Sequence, residues 1–130
     1  MAKGKFGTAI NCMDGRVQLP VINWMTEKFG LDYVDMITEP GPDKILAERI
    51  FPNIDSVKTR VLISVEKHGS DVIIITGHDG CAGNPVSKDA HREHILRAMR
   101  VIKSWGLSVS IYGLWLDSNW DVEIVETIEK

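Results

Sequence analysis

The chain lacks an excess of positive charge and lacks any long hydrophobic run. Its 15 Lys and Arg residues face 18 Asp and Glu residues, which leaves a formal net charge of -3. Nucleic acid and anionic lipid surfaces attract proteins with a basic field, and this chain has none. Its apolar runs, such as residues 72–75, are far shorter than the roughly 20 residues that span a bilayer. We therefore expect neither nucleic acid nor a membrane as a partner.

Cysteine is also scarce, since Cys12 and Cys81 are the only two residues of this type. The first residues carry no apolar stretch of the kind found in signal peptides, so we expect a cytoplasmic protein in which a structural disulfide is disfavoured. Two interpretations remain for the thiols: both are buried as small apolar side chains, or both bind a metal or take part in catalysis. A site with three or four thiolate ligands from one chain is excluded.

The remaining composition is that of an ordinary globular protein, with 44% hydrophobic and 25% charged residues in 130 residues. This length suits one domain that covers residues 1–130. Hydrophobic periodicity and the positions of Gly and Pro indicate where the elements lie. They predict strands at residues 6–11, 33–38, 71–77, 107–116 and 122–128, and helices at residues 20–29, 44–50, 53–68 and 87–105.

Strands that alternate with helices indicate a three-layer α/β fold whose central, mostly parallel sheet has four strands. Residues 71–77 form a β-branched run without alternation, which is typical of a strand covered on both faces. The tail at residues 122–128 alternates and is predicted to add an edge strand. Ligands of such sheets bind beyond the carboxyl ends of the strands, where the strand order reverses. Both cysteine segments lie at predicted strand ends, so this is the expected position of a site.

Cys12, His78 and Cys81 converge in one crevice if the first strand and the strand at residues 71–77 are neighbours. Two thiolates and one imidazole suit zinc, which favours four-coordinate sites of nitrogen and sulfur ligands. Three protein ligands with an open fourth position are typical of catalytic zinc, whereas four protein ligands are typical of structural zinc. The separation of Cys12 from His78 is too long for a zinc-finger knuckle, so the fold has to assemble this site.

Asp14 and Arg16 share the loop of Cys12, and their spacing of two lets both side chains point the same way in extended backbone. A carboxylate beside zinc either fills the fourth position or accepts a hydrogen bond from the metal-bound water. In the second arrangement a guanidinium holds the carboxylate by a bidentate pair. The other interpretation of residues 14–16 is a solvated turn with a weak surface ion pair.

The pattern Cys12-x-Asp14-x-Arg16 followed by His78-x-x-Cys81 resembles the signature of the β-class carbonic anhydrases. The similarity extends to the predicted strands and helices and covers most of the chain. The resemblance implies that Cys12, His78 and Cys81 ligate zinc. It also implies that Asp14 and Arg16 form the catalytic pair, which orients the zinc-bound water or, with Asp14 as a fourth ligand, closes the site.

The activity that this resemblance implies is zinc-dependent, reversible hydration of carbon dioxide to bicarbonate and a proton through zinc-bound hydroxide. It also implies a homodimer or a higher homo-oligomer that acts on a small molecule. Residues 38–42 read Thr-Glu-Pro-Gly-Pro, where the family usually has a segment like Arg-Asn-Ala-Gly. This difference leaves open hydrolysis of a related small molecule, carbon disulfide or carbonyl sulfide. A non-catalytic zinc-binding module is the remaining alternative.

Other histidines and the tryptophans are assigned outside this crevice. His91 and His94 are three residues apart on the last predicted helix, and the charged residues around them indicate an exposed face rather than a second metal site. The tryptophans are interpreted as core or subunit-contact residues. They are Trp24, Trp105, Trp115 and Trp120.

Overall fold

The computed structural model describes residues 3–130. The strands are β1 (Phe6–Cys12), β2 (Tyr33–Glu39), β3 (Val72–His78), β4 (Ser110–Leu116) and β5 (Val122–Ile128). The helices are α1 (Gln18–Phe29), α2 (Pro42–Ala47), α3 (Asn53–His68) and α4 (Lys88–Ser104), with a single 3-10 turn at Gly15–Val17. Within this described part of the chain, no helix combines the length and the apolar character needed to cross a membrane.

The strands form one five-stranded sheet in the order β2-β1-β3-β4-β5. The first four strands in this order are parallel, and β5 pairs with β4 in the antiparallel direction. The predicted mostly parallel sheet with an additional edge strand is therefore confirmed. Every residue of β3 is buried, as expected of an apolar run at the centre of a sheet that is covered on both faces.

Helices cover both faces of the sheet, which confirms the predicted three-layer α/β architecture. On one face, α3 and α4 bury residues such as Val61 and Ile95 against the sheet. On the other face, α1 contributes Val21 to a second cluster. Ile73 belongs to the first cluster and Ile74 to the second, because successive side chains of a strand point to opposite faces. Each fully buried side chain of this size contributes about 1.5–3 kcal/mol.

The helix ends follow local sequence signals. Helices α1 and α3 end at Gly30 and Gly69, whose φ angles of 63° and 74° lie in the left-handed region that glycine adopts without steric cost. The side chain of Ser87 accepts a hydrogen bond from the backbone amide of Ala90 and so caps α4. Helix α2 begins at Pro42, earlier than predicted, because proline at the first helical position lacks only an N–H that would have no partner there.

The strand order places a crevice between β1 and β3. From β1 the chain first adds β2 on one side, and it later adds β3 and β4 on the other side. The order thus reverses at the boundary between β1 and β3, which is where open α/β sheets bind their ligands. The two strands end there with Cys12 and His78. The topology therefore brings together residues that are far apart in sequence.

Candidate metal centre

Three residues with metal-binding side chains meet at this crevice. Cys12 is the last residue of β1, His78 is the last residue of β3, and Cys81 lies in the loop that follows β3. One ligand atom from each of the three lies within 4.8 Å of the others, and all three residues are buried. The Sγ atoms of the two free cysteines are 4.0 Å apart. Strands β1 and β3 are neighbours in the sheet, which is the condition under which the sequence predicted that these residues converge.

The sulfur atoms of Cys12 and Cys81 differ in their tendency to ionise. The hydrogen bond from Cys81 is the main cause that lowers the pKa of Cys12 to about 3, against the opposing effect of burial. His78 and the backbone amides of Gly41 and Asp14 lower this pKa further. The hydrogen bond to Cys12 is also the main cause that raises the pKa of Cys81, and burial adds to it. The hydrogen bond between the two sulfurs therefore favours a thiolate at Cys12, and the thiolate is the form of cysteine that binds a metal.

The orientation of His78 leaves one ring nitrogen for a metal. Its Nδ1 lies 2.8 Å from the backbone carbonyl oxygen of Asp79 and donates to it, which places the proton on Nδ1. Its Nε2 is buried and finds no hydrogen-bond partner within residues 3–130. A buried nitrogen without a partner is costly, and one ring nitrogen of His78 lies within 4.8 Å of both sulfur atoms. Burial is the largest effect and lowers the pKa of His78, but Cys12, the backbone of Asp79 and Asp14 together outweigh it, so the net shift of this pKa is upward.

Asp14 and Arg16 form a bidentate ion pair at the mouth of the crevice. The Nε atom of Arg16 donates to Asp14 Oδ1 at 3.0 Å, and its Nη2 atom donates to Oδ2 at 2.6 Å. The backbone amide of Arg16 donates to the same carboxylate. These hydrogen bonds from Arg16 lower the pKa of Asp14 to about 2. The carboxylate is therefore held as an anion in a fixed orientation, as expected of the second of the two arrangements considered for this pair.

Trp120 packs against the second core cluster, in agreement with its interpretation as a core residue, and it also lies against this ion pair, which the sequence did not predict. The guanidinium of Arg16 lies 4.8 Å from the centre of a Trp120 ring, within the range of a cation–π contact. The ring centre of His78 is 6.2 Å away from the same side chain. The position of Trp120 in the sequence could have indicated this contact. Trp120 follows the carboxyl end of β4, and the two cysteine segments lie at the carboxyl ends of neighbouring strands.

The altered segment after β2 does not leave a free carboxylate. Glu39 accepts hydrogen bonds from Arg60 at 2.8 Å and from Asn53 at 3.1 Å. Its negative charge is therefore already paired with α3 rather than presented to a small molecule. Glu39, the charged residue of the segment at residues 38–42, is thus bonded to side chains of the same fold.

His91 does not lie on an exposed face, so that expectation is wrong. The side chain is buried, with 1% of its surface exposed, and its Nδ1 lies 2.6 Å from Oδ2 of buried Asp43. The helical spacing of the sequence could have indicated this burial. His91, Ile95 and Ile102 share one face of α4, and this face points into the core. His94 is half-buried and contacts Asn84. Among the described residues, neither histidine belongs to a metal-binding cluster.

Sequence comparison identifies the family of this chain. A family model described as "Putative carbonic anhydrase" matches residues 2–126, which is nearly the whole chain. The chain belongs to this carbonic anhydrase family. The resemblance drawn from the cysteine, histidine and aspartate motifs is therefore confirmed at the level of the family. No curated protein matches the chain.

Solved β-carbonic anhydrases have the same fold as this protein. One of two tetrameric β-carbonic anhydrases from the filamentous ascomycete Sordaria macrospora matches with a TM-score of 0.60 and 13% identity, over 98% of this chain and 84% of that chain. CafA from Aspergillus fumigatus matches with a TM-score of 0.56 and 16% identity, over 92% and 74%. The β-carbonic anhydrase CcaA matches with a TM-score of 0.62 and 14% identity, over 98% and 85%. At these identities the similarity shows the fold.

Proposed function

We propose that this protein is a zinc-dependent carbonic anhydrase that hydrates carbon dioxide reversibly to bicarbonate and a proton. The observation that carries the proposal is the convergence of two sulfur atoms and one imidazole nitrogen within 4.8 Å at the strand-order reversal. Membership of the carbonic anhydrase family supports the same reaction.

Cys12, His78 and Cys81 are the proposed zinc ligands. Their donor atoms are two sulfurs and one nitrogen, a set that zinc prefers. His78 donates through Nδ1 to a backbone carbonyl, which fixes the ring and leaves Nε2 for the metal. The buried Nε2 atom, which has no partner in the described part of the chain, would acquire one on metal binding. Three protein ligands leave a fourth position for a water molecule, as in catalytic zinc sites.

Asp14 and Arg16 are the proposed catalytic pair. Zinc, when bound, lowers the pKa of water from ~15.7 towards ~7 and so supplies a nucleophile near neutral pH. Asp14 accepts a hydrogen bond from the attacking water, which orients an oxygen lone pair towards carbon dioxide. Arg16 occupies both carboxylate oxygens of Asp14, and this pairing favours orientation of water over use of Asp14 as a fourth zinc ligand. Trp120 packs on Arg16 and keeps the guanidinium in place.

The unit that performs this reaction is proposed to be a single zinc domain over residues 1–130, in a cytoplasmic homodimer or higher homo-oligomer. The two free cysteines suit a reducing compartment. Large apolar side chains at the surface support association, since Leu19 is 68% exposed and Phe51 is 75% exposed. The similar enzymes from Sordaria macrospora are tetramers, which makes an assembly larger than a dimer a reasonable target for sedimentation measurements.

The test is stopped-flow hydration of carbon dioxide by zinc-loaded protein, scanned from neutral to mildly alkaline pH. We expect one zinc per chain and a hydration rate well above background, and we expect Cys12→Ala to lose both. Stoichiometric zinc in Cys12→Ala would contradict the ligand assignment. Full zinc loading without hydration at any pH would overturn the activity and leave a non-catalytic zinc module, unless sulfide release from carbon disulfide or carbonyl sulfide identified a different substrate.

A further inference from the structure

A second group of buried polar side chains lies beside the metal centre and supplies none of the three proposed ligands. Asp43, Asn84 and His91 are each at most 1% exposed. His91 Nδ1 lies 2.6 Å from Asp43 Oδ2 and must donate to it, because a carboxylate only accepts. Asn84 Nδ2 then donates to the other oxygen of Asp43 at 3.3 Å and to His94 at 2.9 Å. We call Asp43, Asn84 and His91 the buried triad.

The buried triad joins two loops that touch through their backbones. Asp43 lies just after Gly41 at the start of α2, and Asn84 directly follows Gly83 in the loop of Cys81. A Cβ atom on Gly83 would lie 2.7 Å from the backbone nitrogen of Gly41, and a Cβ atom on Gly41 would lie 2.8 Å from the carbonyl carbon of Gly83. Only glycine allows this approach. The side-chain hydrogen bonds of the triad therefore hold together two backbones that are already in contact.

Both loops reach the sulfur atoms. The backbone amide of Gly41 interacts with Cys12, and the backbone amides of Gly83 and Asn84 interact with Cys81. Hydrogen bonds from backbone amides to thiolates control how strongly and in what geometry the thiolates bind a metal. The position of the amides depends on the position of the two loops, which the buried triad connects.

The same triad also contacts the strand that carries the third proposed ligand. Gly77 precedes His78 in β3, and a Cβ atom on Gly77 would lie 3.0 Å from Asp43 Oδ2 and 3.0 Å from His91 Nδ1. The Asp43–His91 pair thus packs directly on the backbone before His78. His78 and Cys81 are therefore attached to backbone segments that the triad touches or contains, and Cys12 interacts with the amide of Gly41 two residues before Asp43.

We propose that Asp43, Asn84 and His91 are positioning residues of the metal centre, which hold the amides that face both sulfur atoms. This inference rests on the proposed function, because it takes Cys12, His78 and Cys81 as the ligands. Burial of a carboxylate, an imidazole and an amide side by side costs free energy. The geometry that these groups impose on the metal centre accounts for their presence in the core. None of the three triad residues belongs to the metal-binding cluster of Cys12, His78 and Cys81.

The test is cobalt substitution of the purified protein and of Asp43→Asn, which keeps the shape of the side chain but removes its charge. Two quantities are measured: the energy of the thiolate-to-cobalt charge-transfer band and the cobalt dissociation constant, by competition with a chromophoric chelator. We expect a shifted band and about 10–100-fold weaker binding in Asp43→Asn. Asn84→Ala is the second variant, with the same expectation, and it decides the matter if Asp43→Asn does not fold.

The matched control is Asp35→Asn, which makes the same substitution in a second Asp–His pair on the edge strand β2, where Asp35 Oδ2 lies 2.7 Å from His68 Nδ1. This variant should keep the wild-type spectrum and affinity. Folded Asp43→Asn and Asn84→Ala proteins with wild-type spectra and affinities would overturn the inference and leave the metal centre intact. Absence of thiolate-to-cobalt bands in the wild-type protein would instead overturn the metal centre, and the inference with it.

Discussion

Two Asp–His pairs of nearly equal length occupy different environments in this molecule. Asp43 and His91 lie 2.6 Å apart beside the candidate metal centre with side chains that are 0% and 1% exposed. Asp35 and His68 lie 2.7 Å apart at the β2 edge with side chains that are 25% and 34% exposed. Loss of one partner of a buried pair typically costs about 3–5 kcal/mol, whereas an exposed pair is worth about 0–1 kcal/mol.

Two Asp–His contacts of similar length can thus have different roles, because the role depends on what surrounds each pair. The Asp35–His68 pair continues into hydroxyl groups, since Ser64 donates to Asp35 at 2.6 Å and also contacts Thr8. This chain of hydrogen bonds ties α3 to β1 and touches no proposed ligand. The Asp43–His91 pair connects the backbone segments around the sulfurs. We therefore expect substitutions near the metal centre to change metal chemistry, and substitutions at the β2 edge to change stability slightly.

The largest expected effect is the loss of zinc and of activity when His78, but not His68, is replaced. His78→Ala should lose stoichiometric zinc and reduce hydration to background, because it removes the only nitrogen among the three proposed ligands. His68→Ala is the matched control and should keep both. Zinc content by atomic absorption and stopped-flow rates are the measurements, with circular dichroism to establish folding. Equal zinc content in the two variants would contradict the proposed role of His78.

The next largest effect is expected from Asp14, whose substitution should reduce catalysis without reducing zinc binding. Asp14→Asn keeps the shape of the side chain but removes the anion that Arg16 holds. We expect zinc content to stay at wild-type level while hydration falls about 10–100-fold, because the hydrogen-bond acceptor that orients water is weakened. The measurement is a stopped-flow rate normalised to bound zinc. Loss of zinc in this variant would instead identify Asp14 as a metal ligand.

A smaller effect is expected from the contact between the two loops. A Cβ atom on Gly83 would lie 2.5 Å from the backbone carbonyl carbon of Pro40, and backbone cannot move aside as a flexible side chain can. Gly83→Ala should therefore lower the free energy of unfolding by about 1–3 kcal/mol, measured by urea denaturation. Gly15→Ala is the matched control for stability, since no heavy atom lies within 4 Å of its Cβ position. Equal losses in both variants would refute close packing of the loops.

The smallest effect is expected at the β2 edge. Asp35→Asn should change the free energy of unfolding by no more than about 1 kcal/mol, because water screens this partly exposed pair. Urea denaturation of Asp35→Asn and Asp43→Asn under the same conditions provides the direct comparison. A loss in Asp35→Asn as large as that in Asp43→Asn would show that burial does not distinguish the two pairs.

Much of the fold was predictable because local patterns and global topology agree. The buried run of β3 and the alternating tail of β5 both appeared where the sequence predicted them. The start of α2 was missed, since the proline that ends a strand segment also begins a helix at Pro42. Trp120 was missed as a neighbour of Arg16 because its contact depends on a loop whose path no periodicity describes.

The amino-acid sequence by itself determined the alternation of strands and helices, the membership of a carbonic anhydrase family and the residue types suited to zinc. Each of these depends on local spacing or on a short motif. Only the tertiary structure decided that the chain order reverses between β1 and β3, that Asp43 faces His91, and that Gly41 meets Gly83. These contacts join segments far apart along the chain, and their partners are selected by packing across the sheet rather than by neighbours in sequence.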